Sequence, residues 1–401
     1  MTSPAPTRLS IGDVLDVRIE KVAHGGHFIA RHGAEVIFVR HGIPGELVRV
    51  CITASESSFH RGDVVETLEA SPDRVVAPCS FSHRLGCGGC DFQHISGERQ
   101  RKLKAEVIKE QFLRLAKMQV ELDVEEVSEL THWRTRATAR SDSQGRFGFY
   151  AARSHNVVPI DDCLITVKSM KLSQLAARTW KSDLRIELAA SSKDEQNIAL
   201  APARGPGPAR LTQGPALLHE EVAGKVLQIS QSSFWQSNVS APRVLTSAVL
   251  ELAKFKSGEH VLDLYGGVGL FTAAIVDEIG ATGAIELIEG SKSATGDATK
   301  NFLQYPNIKI TTGNVEKHLP KITRADVVVL DPPRDGAGKI VLGEIARIKP
   351  RAVVYVACDP ASLARDTDYF SKLGYSLSVL RAFDLFPMTH HIECVALYLP
   401  N

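Results

Sequence analysis

The chain has 401 residues, 44% of them apolar and 23% charged, which suits two or three globular domains and excludes collagen, coiled coil and wholesale disorder. Lys+Arg (47) and Asp+Glu (46) balance to a net charge of +1, so any nucleic-acid surface must be a local patch. Apolar runs such as Ala352–Ala357 fall far short of the roughly 18 residues of a membrane span, and no secretory signal opens the chain. A cytoplasmic protein without a membrane partner is expected.

Residues 8–68 read as short strands broken by glycines. Leu15-Asp-Val-Arg-Ile-Glu alternates, Val36-Ile-Phe-Val is a short apolar run, and Gly25, Gly26, Gly42 and Gly45 punctuate them. This spacing predicts a small barrel of the OB type, a fold that often binds oligonucleotides. From Gln100 to Lys117, Leu103, Val107, Ile108, Phe112 and Leu115 share one helical face. A second basic run, Arg134, Arg136, Arg140, Arg146 and Arg153, is interleaved with Trp133, Phe147, Phe149 and Tyr150. Charge for phosphates and rings for stacking are what single-stranded RNA binding uses, although a solvated strand face has the same composition. Residues 201–215, rich in Pro and Gly, read as a loop.

From about residue 245 strands and helices alternate. Strands are predicted at His260–Tyr265, Ala284–Glu289, Ile308–Thr312, Asp326–Leu330, Ala352–Ala357, Tyr375–Leu380 and Ile392–Leu399, with helices at Leu270–Ile279 and Ser293–Tyr305. This is the pattern of an open, mostly parallel sheet, whose ligands bind at the carboxyl ends of the strands. Asp263, Gly269, Glu289, Asn314, Asp331 and Cys358 all fall there.

The turn Asp263-Leu-Tyr-Gly-Gly-Val-Gly disfavours a nicotinamide dinucleotide, because the Gly-x-Gly-x-x-Gly spacing is missing. Glu289, ending the next strand, can hold ribose hydroxyls, which suits S-adenosylmethionine. Asp331-Pro-Pro-Arg is a rigid loop able to hold Asp331 against a base. Cys358 precedes a helix, where a thiol pKa can be lowered. A thiolate adding to C6 of uracil makes C5 nucleophilic, and Glu393 is the candidate base for the C5 proton. Cys79, Cys87 and Cys90, with Cys163 further on, form a four-thiolate set that fits zinc and an iron–sulfur cluster equally by ligand type. Cys51 and Cys394 read as small buried hydrophobes.

These motifs resemble the RNA (uracil-5-)methyltransferases, in the ribosomal-RNA-type branch with a TRAM domain and a 4Fe–4S cluster. Gly25–Val39 and Gly42-Ile-Pro-Gly-Glu are similar to TRAM; Phe234-Trp-Gln236, the Asp263 turn, Asp331-Pro-Pro-Arg, Cys358-Asp-Pro-Ala-Ser and His390…Glu393 are similar to the catalytic domain. The resemblance implies an α/β fold with a Rossmann-like class I methyltransferase domain over 231–401. It also implies a TRAM-like, RNA-binding β-barrel over 1–68 and a central cluster domain over 69–230. It implies Cys358 as nucleophile and Glu393 as base, with Gln236, Tyr265, Gly267, Glu289 and Asp331 at the cofactor. It favours a 4Fe–4S cluster over zinc on Cys79, Cys87, Cys90 and Cys163. The implied reaction makes 5-methyluridine in 23S ribosomal RNA, with transfer RNA as the alternative substrate, by a monomer. The competing reading is a non-catalytic RNA-binding or metal-sensing relative, against which the intact Cys358, Glu393, Glu289 and Asp331 speak. Asp359 stands where Asn is usual in the family, and Tyr265 where Phe is.

Overall fold

The computed structural model describes residues 8–205 and 207–401. It contains two compact units: Met1–Val107 with Tyr150–Val158 and Phe386–His391, and Ile108–Phe149 with Pro159–Leu385 and Ile392–Asn401.

In the first unit, β1 (Val14–Ala23), β2 (His27–His32), β3 (Glu35–Arg40), β4 (Leu47–Ser55) and β5 (His60–Glu69) close into the expected barrel, in the order β1-β2-β3-β5-β4. The strands alternate. Phe28, Ile37, Val39, Val48 and Val50 are wholly buried, while Phe38 and Arg40 point outward from β3. Only β3 and β5 pair in parallel, and this sets Phe38 beside Arg61 and Arg40 beside Asp63. The buried Glu46 carboxylate accepts from the backbone of Ile43 (2.9 Å) and Ser71 (3.1 Å) and from Arg74 (2.6 Å). A buried carboxylate is tolerated when its lone pairs are filled in this way, and here it ties the barrel to the chain leaving it. Cys394 is buried as expected, whereas Cys51 is half-buried.

Helix α1 (Gly97–Gln111) follows and gives way to a π-helical turn, Phe112–Ala116, so the amphipathic stretch is helical almost throughout. After β6 (Val124–Glu126) come β7 (Arg136–Ser141), β8 (Phe147–Tyr150), β9 (Val157–Pro159), the short α2 (Leu172–Ala176), β10 (Leu184–Ala190), β11 (Gln196–Pro202) and β12 (Arg210–Gln213). The six strands from β7 to β12 form a sheet in the order β12-β11-β10-β7-β8-β9. Residues 201–215 are therefore not all loop: β12 pairs with β11 as an edge strand, every residue of which is exposed. Nothing in it alternates between buried and exposed, so no strand period is written there. The hairpin of β13 (Leu217–Val222) and β14 (Lys225–Ser230) precedes α3 (Ala241–Ala253).

The remaining elements are β15 (His260–Leu264), α4 (Leu270–Ile279), β16 (Ala284–Glu289), α5 (Lys292–Asn301), β17 (Ile308–Thr312), α6 (Val315–His318), β18 (Val327–Leu330), α7 (Gly338–Ile348), β19 (Ala352–Ala357), α8 (Pro360–Ser371), β20 (Tyr375–Asp384) and β21 (Glu393–Pro400). They build an eight-stranded sheet, β17-β16-β15-β18-β19-β21-β20-β6, parallel from β17 to β19. Strands β18 and β19 are buried at every residue, the continuous apolar run of a sheet covered on both faces. Strand β21 runs antiparallel to β19, pairing Ala357 with Cys394. Its first residue thus lies at the edge where β19 ends. Among the described residues no helix is long and apolar enough to cross a membrane.

The turn after β15 needs glycine. Gly269 has φ +99°, and a Cβ there would overlap the Phe302 ring. Gly269→Ala should lower the unfolding free energy by about 2–4 kcal/mol through strain and overpacking. Urea unfolding checks this, and an unchanged midpoint would contradict it.

Candidate active site

The carboxyl edge of the parallel strands gathers the chemistry-bearing side chains. Strand β15 runs into Tyr265–Gly269, β16 ends at Glu289, β18 leads into Asp331, β19 leads into Cys358, and β21 starts at Glu393. Gln236 comes from the segment ahead of α3, and its Nε2 donates to Asp331 Oδ2 at 3.3 Å. The loop after Asp331 is fixed from α8: Asp366 accepts from the backbone of Ala337 (2.8 Å) and Gly338 (3.2 Å) and from the Tyr355 hydroxyl (2.8 Å). Asp359 caps α8 by accepting from Ser362 N at 2.8 Å. The acid standing in place of the family's usual Asn does the capping an Asn would do.

Three carboxyl groups meet at this edge, two of them buried and Asp331 half-buried. Asp263 and Glu393 are 0% and 3% exposed. Burial raises Asp331 to about 7, with the Asp263 charge adding to the rise and Gln236 opposing it. Burial also lifts Glu393 well above the usual carboxylate range, helped by Asp331. Asp263 goes up to about 6 for the same first reason, against two bonds from Thr272. Like charges in a low-dielectric site cannot all ionise, so protons stay on.

Cys358 is half-buried, and its thiol is raised, not lowered. Burial pushes it up to about 12, Glu393 and Asp331 add to that, and only Arg334 pulls the other way. The expectation from the helix N-terminus is overturned here. A helix end supplies about half a charge, and two nearby carboxylates outweigh it.

The glycine turn is strained and open. Tyr265, a non-glycine residue, has φ +60°, and Gly267 has φ +56° with nothing within 4 Å of where a Cβ would stand. Glu289 Oε2 accepts from Gly267 N at 3.1 Å and its Oε1 from Ser291 N at 2.6 Å, which holds the carboxylate against the turn. Asp263 Oδ1 is buried with no hydrogen-bond partner among the described residues. An orphaned acceptor under a glycine cradle is the place for a ligand bearing donors, and these residues fit S-adenosylmethionine. Asn314 caps the short α6, accepting from Glu316 N at 2.8 Å.

Arg136 emerges as more than one basic residue in a run. It opens β7, paired with Ala189 of β10, and Glu220 is the charge that acts on it. Its guanidinium is buried, its Nε and Nη2 have no hydrogen-bond partner among the described residues, and burial pulls it down to about 10. Composition could not distinguish this residue from its exposed neighbours. Phe234, two residues before Gln236, is 67% exposed.

Cys79, Cys87, Cys90 and Cys163 are half-buried, and no disulfide joins them. Gly89 N donates to Cys87 Sγ at 3.4 Å. Cys87 bridges Ala151, and Gly88 N donates to Tyr150 O at 3.0 Å, so the thiol segment braces the turn at Ala151–Arg153. Among the described residues no group of three or more His, Cys, Asp or Glu is arranged to hold a metal ion. The donor chemistry suits a thiolate-held centre.

Family models for the TRAM domain and for tRNA (Uracil-5-)-methyltransferase match residues 8–65 and 318–400. A Streptomyces avermitilis protein described as an uncharacterized RNA methyltransferase is 39% identical over 428 residues, covering 97% of this chain and 99% of its own. A Streptomyces coelicolor relative of the same description is 37% identical, covering 97% of this chain and 93% of its own. The chain belongs to the RNA (uracil-5-)methyltransferase family. The solved structure of Pyrococcus abyssi tRNA (uracil-54, C5)-methyltransferase with S-adenosyl-L-homocysteine shares the fold, with TM-score 0.73 over 96% of this chain and 99% of that one at 21% identity.

The raised Asp331 has a consequence for stability. Its folded value of about 7 exceeds the ordinary 3.8, so between those values the folded chain binds the extra proton. Its contribution to stability is present below the unfolded value and is lost as pH rises through the folded one. Asp331→Asn removes this loss. The variant should therefore gain stability relative to the natural chain between pH 5 and pH 8, read by urea unfolding without cofactor. A pH-independent difference would contradict the placement.

Proposed function

We propose that this methyltransferase makes 5-methyluridine by way of a covalent bond between Cys358 and C6 of the target uracil. The observation that carries this reading is the meeting of Cys358, Glu393 and Asp331 at one sheet edge, with Gln236 bonded to Asp331. The target uridine must leave its stack, because C5 and C6 are shielded within it. The Cys358 thiol gives its proton to water and its sulfur attacks C6, and the C5–C6 π pair moves to C5, from where it takes the methyl group. S-adenosylmethionine, when bound, supplies an electrophilic methyl group on a positively charged sulfur. Glu393 removes the C5 proton after transfer, and the S–C6 bond then breaks. Gln236 and Asp331 orient the base edge. Tyr265, Gly267, Glu289 and Asp331 hold the cofactor, with Glu289 on the ribose hydroxyls.

Cys79, Cys87, Cys90 and Cys163 would hold a 4Fe–4S cluster. What supports it is the all-thiol donor set and the N–H aimed at Cys87 Sγ. Methyl transfer needs no electron, so its part is to brace the fold. Large-subunit (23S) ribosomal RNA in the cytoplasm is the proposed substrate, on the combination of TRAM barrel, thiol set and catalytic sheet. Transfer RNA is the second reading, favoured by the names of the matched family model and of the Pyrococcus enzyme.

The test uses anaerobically purified protein, labelled S-adenosylmethionine and separate unmodified ribosomal and transfer RNA pools. 5-Methyluridine should appear in the ribosomal pool and vanish with Cys358→Ala. Glu393→Gln should slow turnover by about 100-fold or more and leave RNA covalently attached, seen as a band stable to denaturant. Product in the transfer RNA pool alone would move the substrate to the second reading. Product retained by Cys358→Ala would exclude the covalent route.

A further inference from the structure

One buried carboxylate of the catalytic unit has no part in the transfer chemistry. Asp297, on α5, is 2% exposed, and no basic side chain pairs with it among the described residues. Its bonds come from the stretch Ser230–Ser233. Oδ2 accepts from Ser230 N at 2.8 Å and from Ser233 Oγ at 2.6 Å, and Oδ1 accepts from Ser230 Oγ at 2.5 Å. A buried carboxylate filled in this way needs no counter-ion. Ser233 gives its one proton to Asp297, so its 2.9 Å bond with Ser293 Oγ is one it accepts. Ser293 in turn accepts from Ser232 Oγ at 2.7 Å. The hydroxyls thus form a directed chain ending on the carboxylate, in which each bond strengthens the next. Docking of the β13–β14 hairpin does not require Asp297. Asn301, one turn further along α5, already accepts from Gln228 N at 2.8 Å and donates to Gln228 O at 3.2 Å. The Asp297 bonds fall instead where the chain leaves β14.

From Ser233 the chain runs through Phe234 and Trp235 to Gln236. Thr135, itself buried, holds the far end, its N donating to Ser237 O at 2.8 Å and its hydroxyl to Gln236 O at 3.1 Å. The segment is therefore pinned on both sides of Phe234. Gln236 Nε2 meets Asp331 at 3.3 Å, long for a hydrogen bond, so a small shift of the backbone breaks it. We infer that Asp297 is a positioning residue for the target base: its carboxylate fixes Ser230 and Ser233 so that Gln236 meets Asp331 and the uracil edge. The inference rests on Gln236 orienting the base and adds what holds it there. The cofactor side does not depend on this carboxylate, because Glu289 keeps its own bonds from Gly267 N and Ser291 N.

The test measures initial rates of methyl transfer from labelled S-adenosylmethionine to unmodified RNA by the full chain. Asp297→Ala should lower kcat/KM for RNA about 30-fold, the size of loss that misplacing a substrate-positioning group brings. The Kd for S-adenosylmethionine, read by calorimetry, should stay within about twofold, since Glu289 retains its partners. Asp297→Asn keeps an acceptor for Ser230 N and Ser233 and turns an amide toward the Ser230 hydroxyl, so it should stay within about threefold of the natural chain. Ser233→Ala removes a single donor and should cost about fivefold. The decisive comparison is made in a Gln236→Ala background. There Asp297→Ala should slow the reaction by less than about threefold more, because the residue it acts through is gone. If Asp297→Ala does not fold, Ser233→Ala with Gln236→Ala supplies the same cycle. Losses that multiply in the double variant, or an S-adenosylmethionine affinity that falls as far as the rate, would overturn the inference. Full activity in Gln236→Ala alone would instead remove the role of Gln236 on which it rests, and no transfer to any RNA by the natural chain would sink the proposed function.

Discussion

Gathering three carboxyl groups, two buried and one half-buried, at the end of an apolar sheet is the constraint around which the catalytic unit is arranged. Strands β15, β18, β19 and β21 are buried almost end to end, so whatever leaves their shared edge enters a low-dielectric space. An isolated buried carboxylate would cost several kcal/mol. The chain offsets this by keeping protons on Asp331 and Glu393 and by giving Asp263 two bonds from Thr272. The antiparallel turn of β21 is what brings Glu393 to the edge where Cys358 emerges.

That arrangement makes the resting thiol inert. A thiol raised to about 12 is neither readily alkylated nor readily oxidised at neutral pH, and it stays reduced until a ligand changes its surroundings. The cofactor's sulfonium is a cation, and the cluster is short of cations.

Much of this was legible in the sequence, and the reasons differ by residue. The runs Val327–Leu330 and Ala352–Ala357 announce buried parallel strands because strands covered on both faces are apolar at every position. The Gly266–Gly269 turn and Glu289 fall in register because a ligand at a strand end constrains local spacing. The exposed strand β12 left no period to read. Arg136 looked like its solvated neighbours, because burial depends on the pairing of its strand with β10. The direction of the Cys358 shift was misread from local sequence. The groups that decide it, Glu393 and Asp331, arrive from other strands.

The most direct test of the central claim is the pH dependence of Cys358 alkylation by iodoacetamide in the cofactor-free chain, with modification located by peptide mass spectrometry. A thiol held neutral by burial and two carboxylates should react slowly at pH 8, and its rate should still be climbing at pH 10. A rate that levels off below pH 8 would mean an already ionised thiol, and the acidic, desolvated edge described here would be wrong.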